Sequence, residues 1–223
     1  MRSCILAAAF GSALVPTAFA ADAAAPVAPL APQTLSCDAP FNKDTTEEAL
    51  IAAFGKENVE YKTVPGAEGM ETNATVIFPN DPAKMLTVFW WDEDKRARPA
   101  AVTVQADYSA DPEGTDAWKA EVGWQTTEGL KIGSPIADVQ AANGKAFKIS
   151  GFDWDYGGYA ISWEGGKLDP AQRGDCNLLM RFAPSSGATP EGAAGDVELM
   201  SDSAPVEAAK PRVTEFSVSY PSD

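Results

Sequence analysis

The chain has 223 residues, with 17 Lys and Arg against 32 Asp and Glu, giving a net charge of −15 at neutral pH. So acidic a surface repels nucleic acid and anionic lipid, and neither is expected as a partner. The chain also contains no histidine, which removes the commonest general base and metal ligand. No Gly-x-Ser-x-Gly elbow, Cys-x-x-Cys pair or phosphate-cradling glycine loop takes its place, so no cofactor and no metal are expected.

Residues 1–20 read as a cleaved signal peptide: Arg2 supplies the positive start, Ile5 to Ala20 is apolar, and Ala18-Phe19-Ala20 places small residues at a cleavage site. The apolar run is shorter than the roughly 20 residues of a membrane-spanning helix, so no integral membrane segment is expected after cleavage. Cys4 precedes that run, where a lipid-anchored cysteine would follow it. The mature chain is therefore expected to be soluble, in the periplasm or secreted. Residues 21–34, mostly Ala and Pro, read as a disordered linker. The negative charge of the mature chain has two readings, solubility in the extracellular medium or attraction to a basic partner. In an oxidising compartment Cys37 and Cys176 are expected to form a disulfide, which loop entropy values at about 4–5 kcal/mol. A reactive thiol has little support, because Arg173 is the one cation near Cys176 in sequence.

A first α+β unit is predicted over residues 35–107. Asp44-Thr45-Thr46-Glu47-Glu48 has the character of a helix start, and Ala49 to Phe54 continues as an apolar helical run to Gly55-Lys56. Strands are predicted at Ala74–Phe78, Met85–Trp91 and Arg98–Gln105. Residues 108–128 form a connector, with a short helix expected around Gly114 to Val122. A second α+β unit over residues 129–220 repeats the order: a helix from Ser134-Pro135 to Ala142, stopped by Asn143-Gly144-Lys145, then strands at Tyr159–Trp163, Leu178–Phe182 and Lys210–Ser219. Residues 184–209, rich in Ala, Gly, Ser and acids, read as a long, poorly ordered insertion. The predicted fold is α+β, two tandem helix-then-antiparallel-sheet units packed as one domain, since one helix over one small sheet makes a meagre core.

The segment Gly129-Leu130-Lys131-Ile132-Gly133-Ser134-Pro135, with Val139 and Asn143-Gly144-Lys145-Ala146-Phe147, is similar to the helix entry and exit of the small outer-membrane assembly lipoproteins and of the beta-lactamase inhibitor proteins. Both families use a helix-then-antiparallel-sheet unit, and the inhibitors carry two in tandem, so the resemblance implies architecture more than activity. The lipid-anchor cysteine of the assembly family has no counterpart. Gly151-Phe152-x-Trp154-Asp155-Tyr156-Gly157-Gly158, followed by Trp163-x-Gly165-Gly166-x-Leu168, resembles a motif of a group of secreted bacterial proteins of unassigned activity.

Within that motif Phe152, Trp154 and Tyr156 alternate with Asp153 and Asp155, so an extended backbone would set three rings on one face and two carboxylates on the other. Asp153, Asp155, Gly157, Gly158 and Glu164 also match positions 1, 3, 5, 6 and 12 of a calcium-binding EF-hand loop. The flanks read as strands rather than helices, however, which favours a hairpin turning at Gly157-Gly158. Asp153 and Asp155, about 6.5–7 Å apart on one strand face, are compatible with a glycosidase pair. Solvated strands carry alternating acids for ordinary reasons too.

Trp90, Trp91, Trp154 and Trp163 all fall on predicted strands, where they either fill the layer under the helices or stand exposed to stack on a sugar or anchor a protein. Adjacent strand residues face opposite ways, so one of Trp90 and Trp91 must lie off the helix-covered face. If exposed beside Asp92-Glu93-Asp94 it would form an aromatic and acidic patch. The ligand-binding candidates are Trp90, Trp91, Asp153, Trp154, Asp155, Tyr156 and Glu164. The expected function is a secreted, non-catalytic binding or interaction module of the bacterial cell envelope, meeting an unknown protein or polymer of basic character, with inhibition of a hydrolase as its sharpest version. The alternatives are a carboxylate-based hydrolase of an envelope polymer and a structural envelope component.

Overall fold

The computed structural model describes residues 33–66, 69–106, 122–174, 176–185 and 188–222. The signal peptide, the linker up to residue 32 and the connector helix through residue 121 lie outside the described residues. The last two linker residues, Gln33 and Thr34, belong to strand β1 (Gln33–Leu35), which runs parallel to β6 (Trp124–Thr126).

Helix α1 (Glu47–Phe54) starts where the sequence places it. The Thr46 hydroxyl accepts from the Ala49 amide at 3.3 Å, Glu47 and Glu48 sit in the first turn, and Gly55 ends it at φ 88°. Four strands follow as an antiparallel meander: β2 (Val59–Pro65), β3 (Glu71–Ile77), β4 (Leu86–Asp92) and β5 (Ala97–Gln105). The second half supplies α2 (Ile136–Asn143), the short strands β7 (Lys148–Ser150) and β8 (Ala160–Ser162), then β9 (Asn177–Ala183), β10 (Glu198–Met200), α3 (Ala204–Ala209) and β11 (Arg212–Ser219). The strands form a six-stranded antiparallel sheet in the order β2-β3-β4-β5-β11-β9 and a three-stranded sheet in the order β10-β7-β8. A bridge between Tyr159 and Arg181 joins the smaller sheet to the β9 edge of the larger.

Register places the core. Val102 and Val104 of β5 lie opposite Val218 and Phe216 of β11, which lie in turn opposite Leu178 and Met180 of β9. All six are buried in one cluster with Leu50 of α1, Ile136 and Val139 of α2 and Val206 and Ala209 of α3. The helices thus cover one face of the sheet. The alternate residues, among them Phe89, Thr103, Leu179, Arg181 and Glu215, point to the other. Cys37 and Cys176 form the disulfide, with Cα atoms 6.1 Å apart.

Two expectations need correction. The 184–209 insertion is ordered over its described residues from 188 on: β10 pairs with β7, and Val206 and Ala209 of α3 are wholly buried. Its Ala-, Gly- and Ser-rich composition hid a short helix with one buried face. Ser201 locks it down, donating to Gln140 Oε1 at 2.6 Å and accepting from the Phe147 amide at 3.0 Å. The Gly151–Gly158 segment, in turn, is not an extended strand.

Candidate functional site

From β7 the chain leaves the sheet at Gly151, whose amide donates to Val197 O, while Phe152 pairs with the 193–195 segment through Phe152 N to Ala193 O and Gly195 N to Phe152 O. Phe152 is therefore 2% exposed, inside the core. Asp153 then takes φ 66°, the left-handed region, and a tight turn follows, closed by Gly157 N to Trp154 O at 2.8 Å. This reversal separates Phe152 from Trp154 and Tyr156, so the three rings share no face. Trp154 donates its indole N–H to Gly151 O at 3.0 Å and meets Tyr156 edge-on at 5.7 Å, leaving Tyr156 49% exposed. The glycine of the turn is required by close approach: at Gly158, φ 80°, a Cβ would collide with the Phe182 carbonyl.

The three acids of the motif do not converge. Asp153 accepts from the Thr189 hydroxyl at 2.9 Å, the Asp155 carbonyl accepts from Arg181 Nη2 at 3.1 Å, and Glu164 accepts from the Ser162 hydroxyl at 2.7 Å. Among the described residues no three Asp, Glu or Cys side chains are grouped to hold a metal ion. The strand face on which Asp153 and Asp155 were expected to stand side by side is replaced by the turn.

The tryptophans divide. Trp163 is buried, packed on Phe147 at 4.9 Å between ring centroids. Trp90 is buried too and donates to Thr75 Oγ1 at 2.9 Å, while that hydroxyl donates to Glu47 Oε2 at 2.8 Å. Trp91, on the opposite side of β4, is 49% exposed and donates its indole N–H to Tyr220 O at 3.0 Å. It borders a cleft of about 510 Å³ at the end of the sheet, lined also by Lys43, Asp44, Arg98, Asn177 and Tyr220. The neighbouring acid Asp92 is engaged by Lys95, which holds its carboxyl below the ordinary range. The surroundings of Trp91 are thus of mixed charge, with two cations among the lining, rather than the acidic patch expected from Asp92-Glu93-Asp94.

A second constellation went unnoticed in the sequence. On the face away from the helices, Arg181, Glu215 and Gln105 form a row across β9, β11 and β5, which Tyr159, just before β8, extends through its bridge to Arg181. Tyr159 donates to Glu215 Oε1 at 3.1 Å, and the Arg181 guanidinium lies 5.1 Å from the centre of the Tyr159 ring. Burial raises the Glu215 pKa, and the Tyr159 hydrogen bond and Arg181 charge offset this only in part. Arg181 Nε donates to Gly157 O at 2.9 Å, fixing the Trp154–Tyr156 turn against the sheet. Leu179 of β9 and Ile161 of β8, near the Tyr159–Arg181 bridge, are 39% and 47% exposed. One signal was available: in Leu178-Leu179-Met180-Arg181-Phe182, Leu179 is an aliphatic residue on the phase that strand alternation assigns to solvent.

Comparison of the chain with protein-family models, with curated proteins and with solved structures finds no match.

Proposed function

We propose that the protein is a secreted, non-catalytic binding module of the bacterial envelope, and that it docks a protein partner on the sheet face opposite the helices. One observation carries this reading. Of the six large hydrophobic residues that stand exposed among the described residues, Leu179 projects from that face, Ile161 stands on the neighbouring strand β8, Trp91 lies at the end of the sheet, and Tyr156 borders it on a turn held by Arg181. Monomeric surfaces tolerate single exposed apolar side chains, but a set gathered on one face around an aromatic and an arginine is the composition of an interface centre. The charge of −15 favours a basic partner.

In this reading the two halves are tandem units, α1 with β2-β3-β4-β5 and α2 with β7-β8-β9-β11, joined edge to edge by their last strands, β5 and β11. That arrangement, and the resemblance of the helix termini to the beta-lactamase inhibitor proteins, make inhibition of a hydrolase the most specific form of the proposal. The test is a double substitution, Ile161→Lys with Leu179→Lys, at positions already open to water, so melting should be unchanged. Immobilised wild-type protein should retain an envelope protein that the variant releases. Equal retention by both, or none by either, overturns the proposal.

A further inference from the structure

The six-stranded sheet has two outer strands, β2 and β9. The outer side of β9 is taken up by the chain itself, through the Tyr159–Arg181 bridge and the bond from Phe182 N to Gly158 O at 2.9 Å. Among the described residues no strand or isolated bridge pairs with β2 on the side away from β3. β2 is seven residues long, and its register with β3 runs from Val59–Ile77 to Pro65–Glu71 without a bulge. An edge of that length with nothing to interrupt it is a template for a further strand.

The phase of the hydrogen bonds identifies the groups on offer. Phe78 N donates to Asn58 O and Gly66 N to Met70 O, both at 2.7 Å, so the even-numbered residues of β2 turn their N–H and C=O towards β3. The odd-numbered residues turn theirs outward. Val59 N is engaged by Lys56 O and Pro65 has no N–H, so the outward donors are the amides of Tyr61 and Thr63. An added strand must pair around these two residues.

Side chains choose what that strand is. Tyr61 lies opposite Thr75, which meets Glu47 of α1, so Glu60 and Lys62 stand on the face away from the helix. They face one another at 3.4 Å with side chains 55% and 38% exposed. A second copy of β2, antiparallel and centred on Tyr61, sets Tyr61 opposite Tyr61, Thr63 opposite Val59, and Glu60 of each copy opposite Lys62 of the other. The pair within each strand is kept: an ammonium has three donors, and each then lies between two carboxylates. A shift of two residues one way would set Lys62 opposite Lys62, and the other way Glu60 opposite Glu60, so the charges select this register. With one acid and one base, β2 is also a neutral strip on a chain whose charge of −15 otherwise repels a second copy.

We propose that the protein forms a two-fold dimer through β2, which joins two six-stranded sheets into one. The axis stands perpendicular to the sheet, so the faces away from the helices open to the same side in both copies and one partner can be met twice. That consequence rests on the proposed docking face; the dimer itself does not.

Sedimentation equilibrium of the full-length protein from about 1 μM to about 1 mM, at an ionic strength that screens charges beyond about 8 Å, tests it. Wild type should show a reversible monomer–dimer equilibrium. Glu60→Lys and Lys62→Glu each set like charges opposite one another, twice by symmetry, and each should weaken the dimer at least about tenfold with melting unchanged. The two changes shift net charge in opposite directions, so a loss common to both does not come from overall repulsion. The exchange of both, Glu60→Lys with Lys62→Glu, restores opposite charges and should return dissociation to within about threefold of wild type. A wild type that stays monomeric throughout, single variants that dimerise as well as wild type, or no recovery on exchange would each overturn the proposal.

Discussion

The phenol of Tyr159, just before β8, donates to the Glu215 carboxylate of β11 at 3.1 Å, reaching across the edge strand β9 of the six-stranded sheet. Burial raises the pKa of Glu215 above its ordinary 4.5, so the folded protein holds this proton to a higher pH than the unfolded chain does. In that window the native state binds more protons than the denatured state, and stability must fall as pH rises. Glu215→Gln keeps a hydrogen-bond acceptor for Tyr159 and removes the titration. The expected outcome is a variant more stable than wild type at pH 7, with the difference shrinking or reversing towards pH 4. Urea midpoints measured across that range check it; a constant difference would show that Glu215 does not titrate in the window.

Asn143 closes the second helix from inside the core. It is 1% exposed, its amide donates to Lys145 O and Trp163 O at 3.0 Å each, and its Oδ1 accepts from Leu168 N at 3.2 Å. Gly166 lies against that amide, leaving no room for a Cβ. Asn143→Ala strands two carbonyls and one amide and should cost about 3 kcal/mol. For a domain of this size that is a fall in Tm of roughly 10 °C. Asn143→Asp keeps the shape but loses both donors, and calorimetry should place it close to the alanine variant at pH 7.

These contacts explain which parts of the molecule were legible in the sequence. The start of α1 and the stops of α1 and α2 were, because Thr46, Gly55 and Gly144 act through local geometry, whereas the expected Ser134 cap is not made: Pro135 is the N-cap and α2 begins at Ile136. Alternation located β4, β5, β9 and β11 for the same reason. The motif from Gly151 to Leu168 was conspicuous but misread: Phe152, Trp163 and Leu168 are core residues, and Gly158 and Gly166 are sites of close approach to Phe182 and Asn143. No local rule could anticipate those partners, since each lies in another element. The same limit hid the Tyr159–Arg181–Glu215 row, whose members are brought together only by the Tyr159–Arg181 bridge and the β9–β11 pairing. The small helix α3 was missed because it lies in a stretch rich in Ala, Gly, Ser and acids, and its order comes from two side chains, Val206 and Ala209, buried against other elements.

The disulfide spans 139 residues, a long loop for the unfolded chain to keep open. Loop entropy then predicts that its loss costs about 4–5 kcal/mol. Replacing both Cys37 and Cys176 by Ala should lower the urea midpoint accordingly, with a further contribution because Cys176 is 1% exposed. Dithiothreitol should lower the wild-type midpoint towards that of the variant and leave the variant unchanged. An unchanged wild-type midpoint after confirmed reduction would mean that the covalent link adds nothing to the folded state.

Thr75 is the hinge of a buried polar chain. It accepts from the Trp90 indole, donates to Glu47 at the start of α1, and Glu47 meets Arg96 at 2.9 Å, with Arg96 itself 5.1 Å from the centre of the Tyr61 ring. Thr75→Val preserves shape in the core while removing both hydrogen bonds. It leaves the indole N–H without an acceptor and one carboxylate oxygen with one fewer donor, so a loss of about 2–4 kcal/mol is expected. Trp90→Phe also removes the indole donor, but leaves a void where the larger ring stood. Because the two residues share one hydrogen bond, their effects should not add: the double variant is expected to be at least about 1 kcal/mol more stable than the sum of the single losses predicts. Strict additivity in a double-mutant cycle would show that the Trp90–Thr75 contact carries no energy of its own.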